Sequence, residues 1–396
     1  MKTMHDDDEQ VRSKTIPRRL QDAACSKEYH KLSSLSALST TSIDNSLPTM
    51  AASAVKAAAT NAFKKVVGRP TWQQTMLRIK DPAKSIPFYC DHFGMTVIDS
   101  LDFPQWSFKI FFLTTLKEGD DDKAYTLTPG SQEAHDYMWS IEGTCLELTY
   151  NYGTEDQDDF KYHPGNQEKD GFGHVAFNTD DVYEACNKLE QKGVQFKKKP
   201  DEGRMKGIAF AYDPDGYWVE IIKRTTANLI PNKFNFSQTM LRIKDPAKSI
   251  PFYQAFGMTV VRSKNYGDFS NYFLASSPNV DDSVDYSSLS DDEAKARLSD
   301  MFGPILELTH NHGTENDADF RHFNGNEDDK KGFGHIGFLV DDVYAACDSI
   351  REMGYGFKKE PDGGTMKGLA FAYDPDGYQI EIIKRGGIDF GDKKVE

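Results

Sequence analysis

Cysteine is scarce in this chain: five residues in 396, an odd number, none spaced as C-x-x-C. Such a set excludes a disulfide framework and a thiolate zinc site, and it fits a reducing compartment. No run of about 18 apolar residues occurs, so no membrane-spanning helix is expected. Basic residues are outnumbered, 47 against 62 acidic ones, for a formal net charge of −15. That balance argues against nucleic acid or an anionic membrane as the main partner, and an anionic ligand would need cations placed locally. The acidity gathers in EGDDD at 118–122 and DDSVDYSSLSDDE at 281–293, which read as solvated loops. The opening MKTMHDDDEQ has no apolar stretch of a secretion signal. Residues 11–50 are rich in Ser, Thr and Arg without periodicity and read as disordered. The Ala-rich segment after Met50 reads as a helical arm; the alternative is an organellar targeting helix, if translation starts at Met50. The expected location is the cytoplasm.

What the chain does contain is itself twice. QTMLRIKDPAKSIPFY stands at 74–89 and again at 238–253; KGIAFAYDPDGYWVEIIKR at 206–224 returns as KGLAFAYDPDGYQIEIIKR at 367–385. LELT, GFGH and DDVY recur between them at a spacing of about 160 residues, too long for a solenoid. The repeat divides the chain into an N-terminal segment 1–68, domains at 69–228 and 229–386, and a polar tail 387–396. Each copy splits again. TMLRI reads as a strand, Asp81-Pro82 opens a helix to about Phe93, Gly94 ends it, and MTVID resumes as strand. HVAFN, a helix capped by Asp180-Asp181, Gly193 and VQFKK repeat that order, and DPDG at 213–216 marks a later turn. The expected fold class is α+β, four βαβββ modules paired into two domains.

The duplication also filters the polar residues. Of ten histidines, only His174 and His335 occupy matching positions. Glu147 and Glu307 lie inside C-L-E-L-T and I-L-E-L-T, and Glu220 and Glu381 inside W-V-E-I-I and Q-I-E-I-I. A carboxylate within such a strand is costly unless it is paired or holds a metal. Every module ends on a strand with one lone glutamate and begins on a strand headed by Gln74, His174, Gln238 or His335. Two facing modules would supply Gln, Glu, His and Glu to one centre. Such oxygen and imidazole donors suit Zn, Ni, Co or Mn at a catalytic site. By strand parity Gln74 and Arg78 share a face, roughly 13 Å apart, as do Glu147 and Asn151. Gln238 with Arg242 and Glu307 with Asn311 match them. Each strand thus carries one group for a metal and one for a polar ligand tail.

At these residues the chain resembles the glyoxalase I (lactoylglutathione lyase) family, in its two-domain monomeric eukaryotic form, within the vicinal-oxygen-chelate superfamily. The motifs QQTMLRIKDP, LELTYN-x-GTE, GFGHVAF, KKPDEGRMKG and DPDGYWVEI cover nearly all of 70–225, and their counterparts cover 234–386. The resemblance implies two glyoxalase/bleomycin-resistance-like domains. It implies two metal sites, each joining a leading pair to the trailing pair of the other domain: Gln74, Glu147, His335 and Glu381 in one, Gln238, Glu307, His174 and Glu220 in the other. It implies that Arg78, Asn151, Arg242 and Asn311 hold the glutathione carboxylate. It places Lys198, Arg204 and Lys359 around the substrate lid with the methionines Met205 and Met366, and makes Lys331, just before GFGH, a further substrate-binding candidate. The chain departs from the family pattern before GFGH, with Asp170 and Lys331, and before the lid methionine, with Arg204 and Thr365. Equal glutathione affinity of the two sites is therefore in doubt.

The activity implied is isomerisation of the methylglyoxal–glutathione hemithioacetal to S-D-lactoylglutathione through an enediolate. Glutathione is the co-substrate. Glu220 or Glu381 would move the proton, with Glu147 and Glu307 serving the opposite enantiomer. The long insertions at 117–138 and 276–300 resemble those of the family's zinc-type members, so the resemblance implies zinc rather than nickel or another divalent ion, two per chain. The partner is a small molecule and the expected state a functional monomer. Other readings are another vicinal-oxygen-chelate metalloenzyme, such as an extradiol dioxygenase or an epimerase, and a metal-free binding relative. A dioxygenase would need a second recurring histidine, which is lacking, and eight retained ligand positions disfavour the binder.

Overall fold

Strand-forming segments here place apolar residues at every second position, which turns the residues between them toward a common face. In TWQQTMLRI, Thr75, Leu77 and Ile79 alternate with Gln74, Met76 and Arg78. The computed structural model describes residues 65–116, 126–224, 234–277 and 279–388. Expectations for residues 1–64, the arm after Met50, the acidic run 118–122 and positions 389–396 lie outside them.

Four modules follow one another with the expected order. The first has β1 (Thr71–Ile79), helix α1 (Pro82–Pro87), β2 (Thr96–Phe103), β3 (Phe108–Thr114), inserted helix α2 (Gln132–Met138) and β4 (Cys145–Asn151). The second has β5 (Phe172–Thr179), α3 (Val182–Gln191), β6 (Phe196–Lys198), β7 (Ala209–Tyr212) and β8 (Trp218–Lys223). The third has β9 (Asn235–Ile243), α4 (Pro246–Ala255), β10 (Thr259–Asn265), β11 (Phe269–Ala275), inserted helix α5 (Asp291–Asp300) and β12 (Ile305–Asn311). The fourth has β13 (Phe333–Val340), α6 (Val343–Glu352), β14 (Phe357–Lys359), β15 (Ala370–Tyr373) and β16 (Gln379–Lys384).

Local chemistry explains the helix boundaries. The Asp181 carboxylate accepts from the Tyr183 and Glu184 N–H groups, and Asp342 does the same for α6. The expected helix from Pro82 to Phe93 is α-helical only to Pro87 and continues as a π-turn at Phe88–His92. PFYCDHFG is one residue longer than PFYQAFG, and the wider turn absorbs the extra residue. Phe88, Tyr89 and Phe93 thereby stay buried, as do Phe252 and Tyr253 of the regular α4 and Phe256 at its C-cap. The acidic run 281–293, expected as a solvated loop, contains buried Tyr286 and the first turn of α5. Ser290 and Glu293 form a capping box there.

The strands form two eight-stranded sheets, ordered β14-β15-β16-β13-β1-β4-β3-β2 and β10-β11-β12-β9-β5-β8-β7-β6. Each sheet therefore joins the leading module of one sequence copy to the trailing module of the other, across β1–β13 or β5–β9. The boundary near residue 228 is a boundary of the repeat, and neither sheet respects it. The main core mixes residues of both sheets, among them Leu77, Leu146, Val175 and Leu241. At its centre the Thr75 and Thr239 hydroxyls hydrogen-bond at 2.8 Å. Among the described residues, no helix is long and apolar enough to cross a membrane.

Candidate functional site

Strand order brings the recurring polar residues together. In the first sheet, Glu381, His335, Gln74 and Glu147 stand on the four consecutive strands β16, β13, β1 and β4. In the second sheet Glu307, Gln238, His174 and Glu220 stand on β12, β9, β5 and β8. Their ligand atoms (the glutamines apart) lie within 4.8 Å of one another in each group. In the first centre His335 Nε2 is 3.0 Å from Glu381 and 3.3 Å from Glu147. Gln74 Nε2 donates to Glu147 at 2.5 Å and to Glu381 at 2.6 Å. In the second, His174 Nε2 is 3.2 Å from Glu220 and 3.6 Å from Glu307, and Gln238 Nε2 donates to both carboxylates at 2.6 and 2.7 Å.

All eight side chains are buried. Burial raises the Glu307 and Glu381 carboxyls above the usual range. For His174 burial works against the proton, but the Glu220 and Glu307 carboxylates prevail and raise it to about 9. Glu381 and Glu147 raise His335 to about 9 in the same way against burial. Two carboxylates and an imidazole packed this closely away from water call for a cation between them. Gln74 Oε1 is buried without a partner, and a half-turn of the amide would aim it into the cluster. The residues present thus fit a divalent ion held by one imidazole and three oxygens.

Four residues further along β1 and β9 lie the arginines. Arg78 donates to the Phe333 carbonyl at 3.1 Å and to Asn326 Oδ1 at 2.9 Å. Arg242 donates to the Phe172 carbonyl at 3.1 Å and to Asn166 Oδ1 at 2.8 Å. Each guanidinium is therefore held by the module across the seam. Asn166 and Asn326 were not singled out from the sequence, although the G-N pair at 165–166 and 325–326 recurs; a polar loop gives no sign of burial. Asn151 donates to the Tyr162 hydroxyl at 2.8 Å, while Asn311 is exposed at the cavity of the second centre. That cavity, about 510 Å³, also takes in Met205 and Arg242.

The lid residues are less gathered. Lys198 and Lys359 each donate to a carbonyl at 2.5 Å, of Ile208 and Leu369, bracing the turn between strands. Arg204 is exposed, 3.3 Å from the Tyr266 carbonyl, and Lys331 is exposed and paired with Asp328 at 3.1 Å. Met366 packs on the apolar cluster beside the first centre. Asp170 is buried against His163 at 2.7 Å, away from either centre.

Paired βαβββ modules around buried Gln, Glu, His and Glu define a class that known proteins share. The family model Glyoxalase/Bleomycin resistance protein/Dioxygenase superfamily matches residues 71–221 and again 235–382, and the chain belongs to that superfamily. Within it, the lactoylglutathione lyase of Schizosaccharomyces pombe is 41% identical over 316 residues, 78% of this chain and 95% of the relative. Glyoxalase I of Saccharomyces cerevisiae is 41% identical over 328 residues, covering 79% and 92%. The crystal structure of glyoxalase I from Zea mays superposes with a TM-score of 0.55 at 26% identity, covering 80% of this chain and 92% of that one.

Proposed function

We propose that the chain is a lactoylglutathione lyase that converts the hemithioacetal of methylglyoxal and glutathione into S-D-lactoylglutathione at two sites. The observation that carries this reading is the placement of Gln, Glu, His and Glu on four adjacent strands, twice, each time with an arginine further along the strand. The ligand sets are Gln74, Glu147, His335 and Glu381, and Gln238, Glu307, His174 and Glu220. When bound, a divalent ion supplies Lewis acidity that lowers the cost of negative charge developing on the substrate oxygens. The chain's own groups do the rest. Arg78 with Asn151, and Arg242 with Asn311, grip the glutathione tail and fix the reacting carbons over the centre. Glu381 in the first site and Glu220 in the second take the proton from C1 and return it to C2; Glu147 and Glu307 face the opposite enantiomer. Burial holds the Glu381 and Glu307 carboxyls above the usual range, which makes each a stronger base than a carboxylate in water.

Zinc is the ion proposed, from the insertions that carry α2 and α5, with nickel or another divalent ion as the alternative. Both sites lie in one chain, so the working form is a monomer, and the cytoplasm is the proposed location. Chelation should abolish turnover of methylglyoxal with glutathione, and zinc should restore it with close to two equivalents bound per chain. Full activity in metal-stripped protein would overturn the reading; one equivalent or fewer after reconstitution would mean that one ligand set is broken.

A further inference from the structure

The two centres are alike, but their walls are not. Two strands out from Glu147, at its own level, β2 carries Asp99; in the same register from Glu307, β10 carries Arg262. Ile110 stands opposite Thr149 where Asn271 stands opposite Thr309. Counting back from the shared L-E-L-T, the inserted helices place His135 and Trp139 where the other copy has Lys295 and Ser299.

Beside the first centre Trp139 gives an apolar wall, and the His135–Asp99 pair, 3.5 Å apart, lines a cavity of about 480 Å³ that takes in none of the ligand set. Trp139 and Met138 are buried with Ile98, Phe112 and Ile383, and the Gly386 N–H donates to the Trp139 carbonyl. Asp99 is fully buried behind them, taking the Ser100 and Gly130 N–H groups. Beside the second centre the same space belongs to the cavity of about 510 Å³, lined by Arg262, Lys295, Asn271 and Ser299 as well as by the ligand set. Asp291 takes Arg262 Nε at 2.8 Å and Lys264 Nζ at 2.6 Å. Arg262 and Lys264 thus share one carboxylate, and Lys295 adds a further cation to the lining of the cavity. Among the described residues the terminal nitrogens of Arg262 and the Lys295 ammonium make no hydrogen bond. Arg242 lies along the strands from the centre, whereas Arg262 lies across them, roughly 10 Å to the side. A substrate gripped by its tail at Arg242 has this wall open to its other substituent.

We propose that the second site is specialised for hemithioacetals of 2-oxoaldehydes whose side chain carries a negative charge, with Arg262 and Lys295 determining that specificity, while the first site takes small apolar side chains. This rests on the function proposed above. The full-length zinc-loaded protein is assayed with one site silenced at a time: Glu381→Gln leaves the second site, Glu220→Gln the first. Each is given the glutathione hemithioacetals of methylglyoxal, phenylglyoxal and 4-carboxyphenylglyoxal. The kcat/KM ratio of carboxyphenylglyoxal to phenylglyoxal should be about 10- to 100-fold higher at the second site, the span of a hydrogen bond to a charged group. Arg262→Gln, and separately the exposed Lys295→Gln, should each lower that ratio about tenfold in the Glu381→Gln background; turnover of phenylglyoxal reports whether the fold survives. In parallel, S-(4-carboxybenzyl)glutathione should bind the second site more tightly than S-benzylglutathione does, read by calorimetry. Equal ratios at the two sites, or a ratio unmoved by both substitutions, would overturn the proposal. Absence of methylglyoxal turnover in the unmodified protein would instead overturn the function on which it rests.

Discussion

In the proposed reaction Glu220 and Glu381 move the proton, and each shares its centre with a glutamate from the other sequence copy. Losing a general base typically costs about 10²–10⁴ in rate, so either glutamine substitution alone should leave one working site. Pairs test the grouping. Glu220→Gln with Glu307→Gln strikes one centre twice and should leave activity near that of the single variant, whereas Glu220→Gln with Glu147→Gln should abolish nearly all turnover. Steady-state kinetics decide it; the reverse ranking would mean self-contained domains. The histidines make a second prediction. In the metal-free protein His174 and His335 are raised to about 9 against an ordinary value of 6.5. Protonated imidazole therefore stabilises the metal-free fold fully below about 6.5, and this contribution is lost as pH rises through about 9. A metal must displace that proton, so zinc affinity should rise with pH, about tenfold per unit for each proton released, and level off near 9. Zinc titration heats at pH 7 should vary with the ionisation enthalpy of the buffer; no variation would mean that the imidazoles are already neutral.

Among the elements, the GFGH turns show what a motif's glycine is for. A Cβ on Gly171 would run into the Tyr378 hydroxyl and the Phe323 carbonyl, both from the fourth module and the loop before it. Tyr378 in turn donates to the Arg242 carbonyl at 2.7 Å. Gly171→Ala should therefore destabilise by about 1–3 kcal/mol, the range for overpacking. It should also raise KM at the second site more than at the first, because it is the Arg242 strand that shifts. Thermal unfolding and the single-site kinetics check the two halves; an unchanged Tm would show that the seam can yield. Most elements were legible because their causes are local: alternation for the strands, Asp and Pro at the helix starts. The π-turn at Phe88–His92 was not, since a one-residue excess says only that something must give.

At the scale of the molecule, the N-terminal edge is tied to the second copy. Val66 is buried and donates to the Ala255 carbonyl at 2.9 Å, and the Gly68 carbonyl accepts from Asp341 at 2.7 Å. A chain starting at Lys65 should match the full chain in kcat and KM. One starting at Arg69 should keep those constants but lose about 1.5–3 kcal/mol, the worth of burying one such side chain. Denaturant unfolding reads the difference; a loss of activity in a folded protein would assign the segment a role in the sites.

The sequence by itself determined the four modules, the pairing of one neutral donor with one carboxylate in each, and the arginine four residues along, because a duplicated chain displays its own constraints and strand parity needs no tertiary information. Only the tertiary structure decided that β1 lies beside β13 and β5 beside β9. Both copies present the same strand edge, so nothing local distinguishes a partner within the copy from one across it. Burial likewise separated Asn166 and Asn326, which hold the arginines, from Arg204 and Lys331, which face solvent. The contrast between Trp139 and Ser299, or Asp99 and Arg262, was written in the chain throughout. It acquired meaning once the fold set Asp99 and Arg262 in the same register beside two matching centres.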